Sequence, residues 1–185
     1  MASNKLQLLK TTLSMGARAN KYKVMLSAPQ GPKDDIIIDT LAKGGAIPGK
    51  TMGIVEIWNQ GRKLLVAGDA AYENTWTLSF WNTQDMKLRS EFDDWLTYID
   101  DFEGHGRGAK AHVDYMTETA KIQQLNTSSN CVMATYEFRN LWPTSISAIE
   151  MADETQDEIT TFDIEFAYSH FIRTDTYKSY AGACQ

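Results

Sequence analysis

The chain has 185 residues, of which 43% are hydrophobic and 23% charged, with a formal net charge of −6. That length fits one domain with a sizeable core, and the composition excludes wholesale disorder. The acidic excess argues against a protein that grips nucleic-acid phosphates through bulk positive charge. With only Cys131 and Cys184 and no close pair, neither a disulfide framework nor a zinc site is expected, and Cys131 reads as a small buried hydrophobe. No apolar run matches a secretory leader or a membrane span, so the protein is expected to be made and kept in a reducing cytosol.

In chain order, residues 1–19 read as an N-terminal arm holding a short helix (Leu6, Leu9, Leu13) weakened by Gly16. Asn20 to Leu26 reads as a strand with Tyr22, Val24 and Leu26 on one face. Pro29 to Asp35 is a loop by composition, and Gly44 to Gly49 a second flexible connection after Ile36–Leu41. Lys50 to Trp58 is the long strand candidate, with Met52, Ile54, Glu56 and Trp58 alternating with Thr51, Gly53, Val55 and Ile57. Asn59-Gln60-Gly61-Arg62 predicts a hairpin turn returning into Lys63–Val66. Asn74 to Trp81 alternates again, with Trp76, Leu78 and Phe80 on one side.

The period then changes. Leu88, Phe92, Trp95 and Ile99 fall on one stripe of an α-helix, with Asn82 and Asp85 as its capping pair and Asp101 at its end. Phe102 to Ala111 reads as a loop, and Ala120–Leu125 with Cys131–Arg139 as a hairpin around Asn126–Asn130. In its second strand Val132, Ala134, Tyr136 and Phe138 oppose Met133, Thr135, Glu137 and Arg139. Trp142-Pro143 ends that strand, and the acidic stretch Asp153–Glu158 leads into a last one. There Phe162, Ile164, Phe166 and Tyr168 alternate with Thr161, Asp163, Glu165 and Ala167. About seven strands with one flanking helix define a mainly β domain of two packed antiparallel sheets, a sandwich or split barrel.

The chain offers little catalytic chemistry. Gly104 to Lys110 lacks the spacing and the following helix of a phosphate-binding loop. His105, His112 and His170 have no partner at metal spacing, and no nucleophile elbow occurs. Asp93, Asp94, Asp100, Asp101 and Glu103 crowd the helix and its exit, where a solvated face explains them better than acid–base catalysis. Asp153–Glu158 lacks the glycine of a calcium loop, and Asn126-Thr127-Ser128 is a polar turn. No cofactor is expected.

From Arg18 to Arg173 the chain resembles the tail tube proteins of contractile-tailed bacteriophages. The matching positions are Arg18-Ala19-Asn20, Ala46-Ile47-Pro48-Gly49, Gly61-Arg62, and Thr75–Trp81 running into the helix with Met86, Arg89, Phe92 and Trp95. Tyr136-Glu137-Phe138, Leu141-Trp142-Pro143, Ile146, Ile149 and Ile159–Tyr168 complete the set. Each piece is common, and the resemblance lies in their order and spacing. It implies a tube domain over 20–173 between an arm (1–19) and a tail (174–185), in a structural virion protein without catalysis. It also implies hexameric rings with a continuous β-barrel channel, stacked into a tube that conducts DNA unbound to the host, with sheath, baseplate and tail terminator as partners and no membrane. Asp163 and Glu165 are then candidates for the lumen, and Arg18, Asn20, Pro48 and Gly49 for contacts between subunits or rings. The alternatives are the tube of a contractile injection or type VI secretion machine, a ligand-binding β-barrel lined by Trp58, Trp76 and Trp81, and an enzyme using the acidic cluster near Asp100.

Overall fold

The computed structural model describes residues 2–13, 16–29, 31–100, 112–127, 130–149, 151 and 159–175. Ten strands are found among them: β1 (Tyr22–Met25), β2 (Ala42–Gly45), β3 (Lys50–Asn59), β4 (Arg62–Tyr72), β5 (Thr75–Trp81), β6 (Lys121–Leu125), β7 (Val132–Arg139), β8 (Trp142–Ile146), β9 (Thr161–Ala167) and β10 (His170–Asp175). The helices are α1 (Ala2–Leu13), α2 (Asp35–Leu41), α3 (Lys87–Ile99) and α4 (His112–Tyr115). The first sheet has the order β1-β6-β7-β10 and the second β2-β5-β9-β8, with every pairing antiparallel. β3 and β4 pair only with each other.

The two sheets pack through the faces that alternation marks as apolar. Val24, Ile122 and Phe138 from the first meet Trp76, Leu78, Phe80, Phe162, Ile164 and Phe166 from the second, all buried. Trp76 stacks on Phe138 across the gap, ring centroids 4.2 Å apart, and its indole N–H donates to the Ala46 carbonyl at 2.8 Å. Aromatic pairs of this kind add about 0.5–1.5 kcal/mol to the gain from burial. The α3 stripe closes one side as the spacing predicts, with Leu88, Phe92 and Trp95 buried and Ile99 partly so.

Several sequence expectations change. α2 was hidden in a run of three isoleucines. Asp34 caps it by accepting the amide hydrogens of Ile36 and Ile37 at 3.0 and 3.4 Å, and only Ile38 of that run is buried. The Gly44–Gly49 connection begins as strand β2, where Gly45 sits so close to β5 that an added Cβ would lie 2.5 Å from Leu78 Cδ2. Asn82 is not the α3 cap: its amide N–H donates to the Thr160 carbonyl at 2.9 Å, and Met86, in the left-handed region, holds the cap position. Trp142-Pro143 does not end β7. Asn140 (φ 55°) makes the turn, and Trp142-Pro143 opens β8, an edge strand where the missing proline N–H is tolerated. The return strand runs to Tyr72 rather than Val66, since Ala67-Gly68-Asp69-Ala70-Ala71 carries no alternation to read. Cys131 is half-buried and disulfide-bonded, not a free buried thiol. Asp101, Glu103, His105, the Gly104–Lys110 and Asp153–Glu158 stretches, Cys184 and residues 176–185 lie outside the described residues.

Candidate assembly surfaces

The most unusual feature is the β3–β4 hairpin. Gln60 and Gly61 both have positive φ (48° and 77°), the two-residue turn geometry that matches strand twist. Nearly every residue of both strands is exposed. Directly paired residues share a face, so the register defines two of them. One carries Val55 with Val66 and Ile57 with Leu64, an aliphatic patch bordered at the turn by Asn59 and Arg62. The other carries Ile54, Leu65 and Trp58 around the Glu56–Lys63 ion pair, with the Lys63 ammonium 5.8 Å from the Trp58 ring centre. Ile54 is 68% and Trp58 66% exposed. The alternation of β3 therefore does not mark a half-buried strand, because both faces carry large apolar groups.

The hairpin is jointed. At Gly53 and Gly68 the strands approach so closely that a Cβ on either glycine would sit 3.1–3.2 Å from the opposite backbone, and the register slips there. Its root is held by Tyr72, which meets Phe171 edge-on at 5.4 Å and receives the Lys50 ammonium over its ring at 5.3 Å. Pro48 and Gly49 belong to this root: Pro48 is buried, and Gly49 lies under the Glu73 carboxylate. Arg18 and Asn20 are exposed on the turn that opens β1, where the Arg18 carbonyl accepts from Lys21 N–H and the Gln124 amide, both at 3.1 Å. Ala19 and Ile47 line one cavity of about 280 Å³ with Tyr22 and Ile122, so the two predicted contact segments meet in space.

The outer faces of the two sheets differ in charge. On the second, Asp163 and Glu165 are exposed and share a face, opposite Ser79 and Thr77 of β5. Ser145 on β8 donates to the Glu165 carboxylate at 3.4 Å, and Lys43 lies over the Trp81 ring on the same side of the sheet. On the first, Lys121 pairs with Glu137 at 3.0 Å, and Arg139 with Glu137 and Glu118 at 3.3 Å each, so the charges largely cancel.

The predicted tryptophan pocket does not form. Trp76 is in the core, Trp58 on the hairpin and Trp81 on the outer face of the second sheet. Asp93 and Asp94 lie exposed on α3, and Asp93 pairs with Arg89 at 3.8 Å. Asp85 is held below the usual carboxylate range, first by the Thr83 hydroxyl and then by the Lys87 N–H, as a local turn rather than an acid–base site. Among the described residues no three potential metal ligands converge, and no helix is long and apolar enough to cross a membrane. The hairpin's aliphatic face escaped the sequence reading, although the apolar run Ile54-Val55 and Ile57-Trp58 was its signal.

The sandwich seals its own core yet carries an exposed hairpin with large apolar groups on both faces. The chain belongs to the phage tail tube protein family, whose sequence profile matches residues 17–174. It is 25% identical over 129 residues to the tail tube protein gp19 of Enterobacteria phage T4, covering 70% of this chain and 77% of that one. The corresponding protein of Enterobacteria phage T6 is 24% identical over the same shares. In fold it is similar to a chain of the sheath–tube complex of an extracellular contractile injection system in its extended state. That match has a TM-score of 0.57 at 14% identity and covers 89% of this chain and 97% of the other. The resemblance to tail tube proteins read from the sequence thus holds, and the protein is a structural component of the virion tail.

Proposed function

We propose that six copies close head to tail into a ring whose sheets join into a continuous β-barrel, and that stacked rings form the tube through which DNA passes to the host. The observation that carries this reading is the β3–β4 hairpin. An isolated two-stranded ribbon is at best marginally stable in water, and a contiguous apolar surface of this kind calls for a partner. A second copy of the same chain supplies one at every position of a closed ring, which also removes those free sheet edges that the chain does not cover itself. In this arrangement Arg18 and Asn20 contribute to contacts between copies, while Pro48 and Gly49 set the angle at which the hairpin leaves the body. The protein has no catalytic role in this reading.

Charge supplies the conducting property. Six copies at −6 each carry a formal −36. With the Asp163 and Glu165 face turned to the lumen, like-charge repulsion keeps DNA off the wall. The injection-system chains of similar fold come from sheath–tube, sheath/tube terminator and baseplate assemblies, so sheath, terminator and baseplate are the partners proposed here. The sequence relatives named above are phage proteins, which favours DNA over protein as the cargo.

Electron microscopy of the purified protein tests the assembly. Rings or tubes with a central hole are expected, and a compact monomer at high concentration would refute the reading. Reversing the lumen charge with Asp163→Lys and Glu165→Lys in a phage that still assembles should slow DNA ejection. Ejection at the normal speed would remove these two residues from the lumen wall.

A further inference from the structure

β1 is the outermost strand of the first sheet, so alternate amide groups along it point away from β6. Such a row is a ready template for another chain. Here two of those amides are occupied by side chains of a helix. Val24 N–H donates to the Asp39 carboxylate at 2.8 Å, and Leu26 N–H, just beyond the strand, to the Asp35 carboxylate at 3.1 Å. The spacings match. Residues four apart on a helix advance about 6 Å, and residues two apart on a strand about 6.6 Å. Asp35 and Asp39 therefore meet Leu26 and Val24 in register, with helix and strand running in opposite directions.

The rest of α2 holds this geometry. Ile38, between the two carboxylates, is fully buried in the core, and Asp34 caps the first turn. At the strand's start the Tyr22 hydroxyl donates to the Ala42 carbonyl at 2.8 Å, fixing the point where the chain leaves α2 for β2. The Tyr22 hydroxyl is held above its usual pKa by burial and by the Asp39 charge, so it stays a donor.

We infer that α2 is an edge guard: its two aspartates occupy the outward amides of Val24 and Leu26 and prevent that edge from pairing with a strand of another copy. Association is thereby directed to other surfaces, the exposed hairpin among them. This inference does not depend on the number of copies in a ring or on the cargo.

The test is amide hydrogen exchange resolved by NMR, with sedimentation, on the full chain at concentrations where the parent is monomeric. In Asp35→Ala/Asp39→Ala the Val24 and Leu26 amides should exchange at least tenfold faster in dilute solution. As concentration rises the variant should associate, and the same two amides should regain protection. Asp35→Asn/Asp39→Asn keeps an acceptor oxygen at each position and should behave as the parent. The inference fails if the alanine variant keeps parent-like protection, stays monomeric at every concentration, or associates while both amides remain in fast exchange. Should the double variant lose cooperative unfolding, Asp35→Ala alone, read at Leu26, decides by the same outcomes.

Discussion

β3 and β5 are built to the same pattern and end in opposite environments. Each alternates large apolar residues, Met52, Ile54 and Trp58 in one and Trp76, Leu78 and Phe80 in the other. The β5 set is buried at 2% exposure or less, while the β3 set is more than half exposed. The difference lies in the residues between. β5 interleaves Thr75, Thr77 and Ser79, which suit a solvated outer face. β3 interleaves Val55 and Ile57, so no orientation puts all its apolar groups into one core. Alternation reports the strand; the second face reports whether its partner lies inside the chain or outside it.

Two tryptophans separate those roles most sharply. Trp76→Ala removes a stacked and hydrogen-bonded core ring and should cost about 3–5 kcal/mol, read from denaturant unfolding of the soluble protein. Trp58→Ala should leave unfolding within about 0.5 kcal/mol of the parent, because its ring is exposed in the single chain. If Trp58→Ala destabilised the monomer as much as Trp76→Ala, the hairpin would belong to the core and the contrast would collapse.

The aliphatic face of the hairpin comes next. Ile57→Lys with Leu64→Lys places two charges where a neighbour is proposed to pack, and a well-packed interface contact is worth about 2 kcal/mol or more. The concentration needed for ring or tube formation should rise roughly 30-fold or more, with unfolding of the single chain almost unchanged. Light scattering and electron microscopy read the first, circular dichroism the second. Normal assembly of this variant would move the contact elsewhere.

A third substitution probes the body rather than the hairpin. Gly45→Ala brings a methyl group into Leu78, and the resulting overpacking should cost about 1–3 kcal/mol in unfolding. The contrasting change is Gly44→Ala, whose added methyl meets nothing within 4 Å and should be nearly neutral. Equal effects at the two glycines would mean that β2 is not seated on β5 as described.

How much of this was legible in the sequence follows from the range of the forces involved. β5, β6, β7, β9 and α3 could be read because burial of one face imposes a period on neighbouring residues. The hairpin turn could be read because Gln60-Gly61 is a local solution to a local problem. α2 could not: its three isoleucines have no usable period, and its place is set by two aspartates bonding to backbone amides 9 and 15 residues away. β2 was hidden for a similar reason, since Gly44 and Gly45 look like punctuation until Leu78 is known to lie against them. Asp163 and Glu165 were readable as sharing a face, but their neighbours Ser79, Thr77 and Ser145 are supplied by β5 and β8. The hairpin's exposure is the extreme case, because nothing among the described residues covers it.

The smallest effect concerns Tyr168, at the end of β9. Its ring is buried against Phe138 and Phe171, and its hydroxyl forms no well-aligned hydrogen bond, only a weak interaction with the Asn74 backbone. Burial, and then the nearby Glu73 charge at the hairpin root, raise its pKa above the ordinary tyrosine value of 10.0. The folded state thus binds the phenolic proton more tightly than the unfolded state. The corresponding stability is fully present below the unfolded pKa and is lost as pH rises through the folded one. Tyr168→Phe removes both the poorly satisfied buried hydroxyl and this titration. It should stabilise the chain at neutral pH by about 1 kcal/mol and flatten the loss of stability above pH of about 10. Thermal unfolding across pH 7 to 11 reads both effects. An unchanged alkaline limb would assign that loss to other groups, Tyr22 first among them, whose pKa is raised by burial and by Asp39. A destabilised variant at neutral pH would instead mean that the hydroxyl is satisfied in solution, and that the hairpin root is more closely tied to the body than its exposed strands imply.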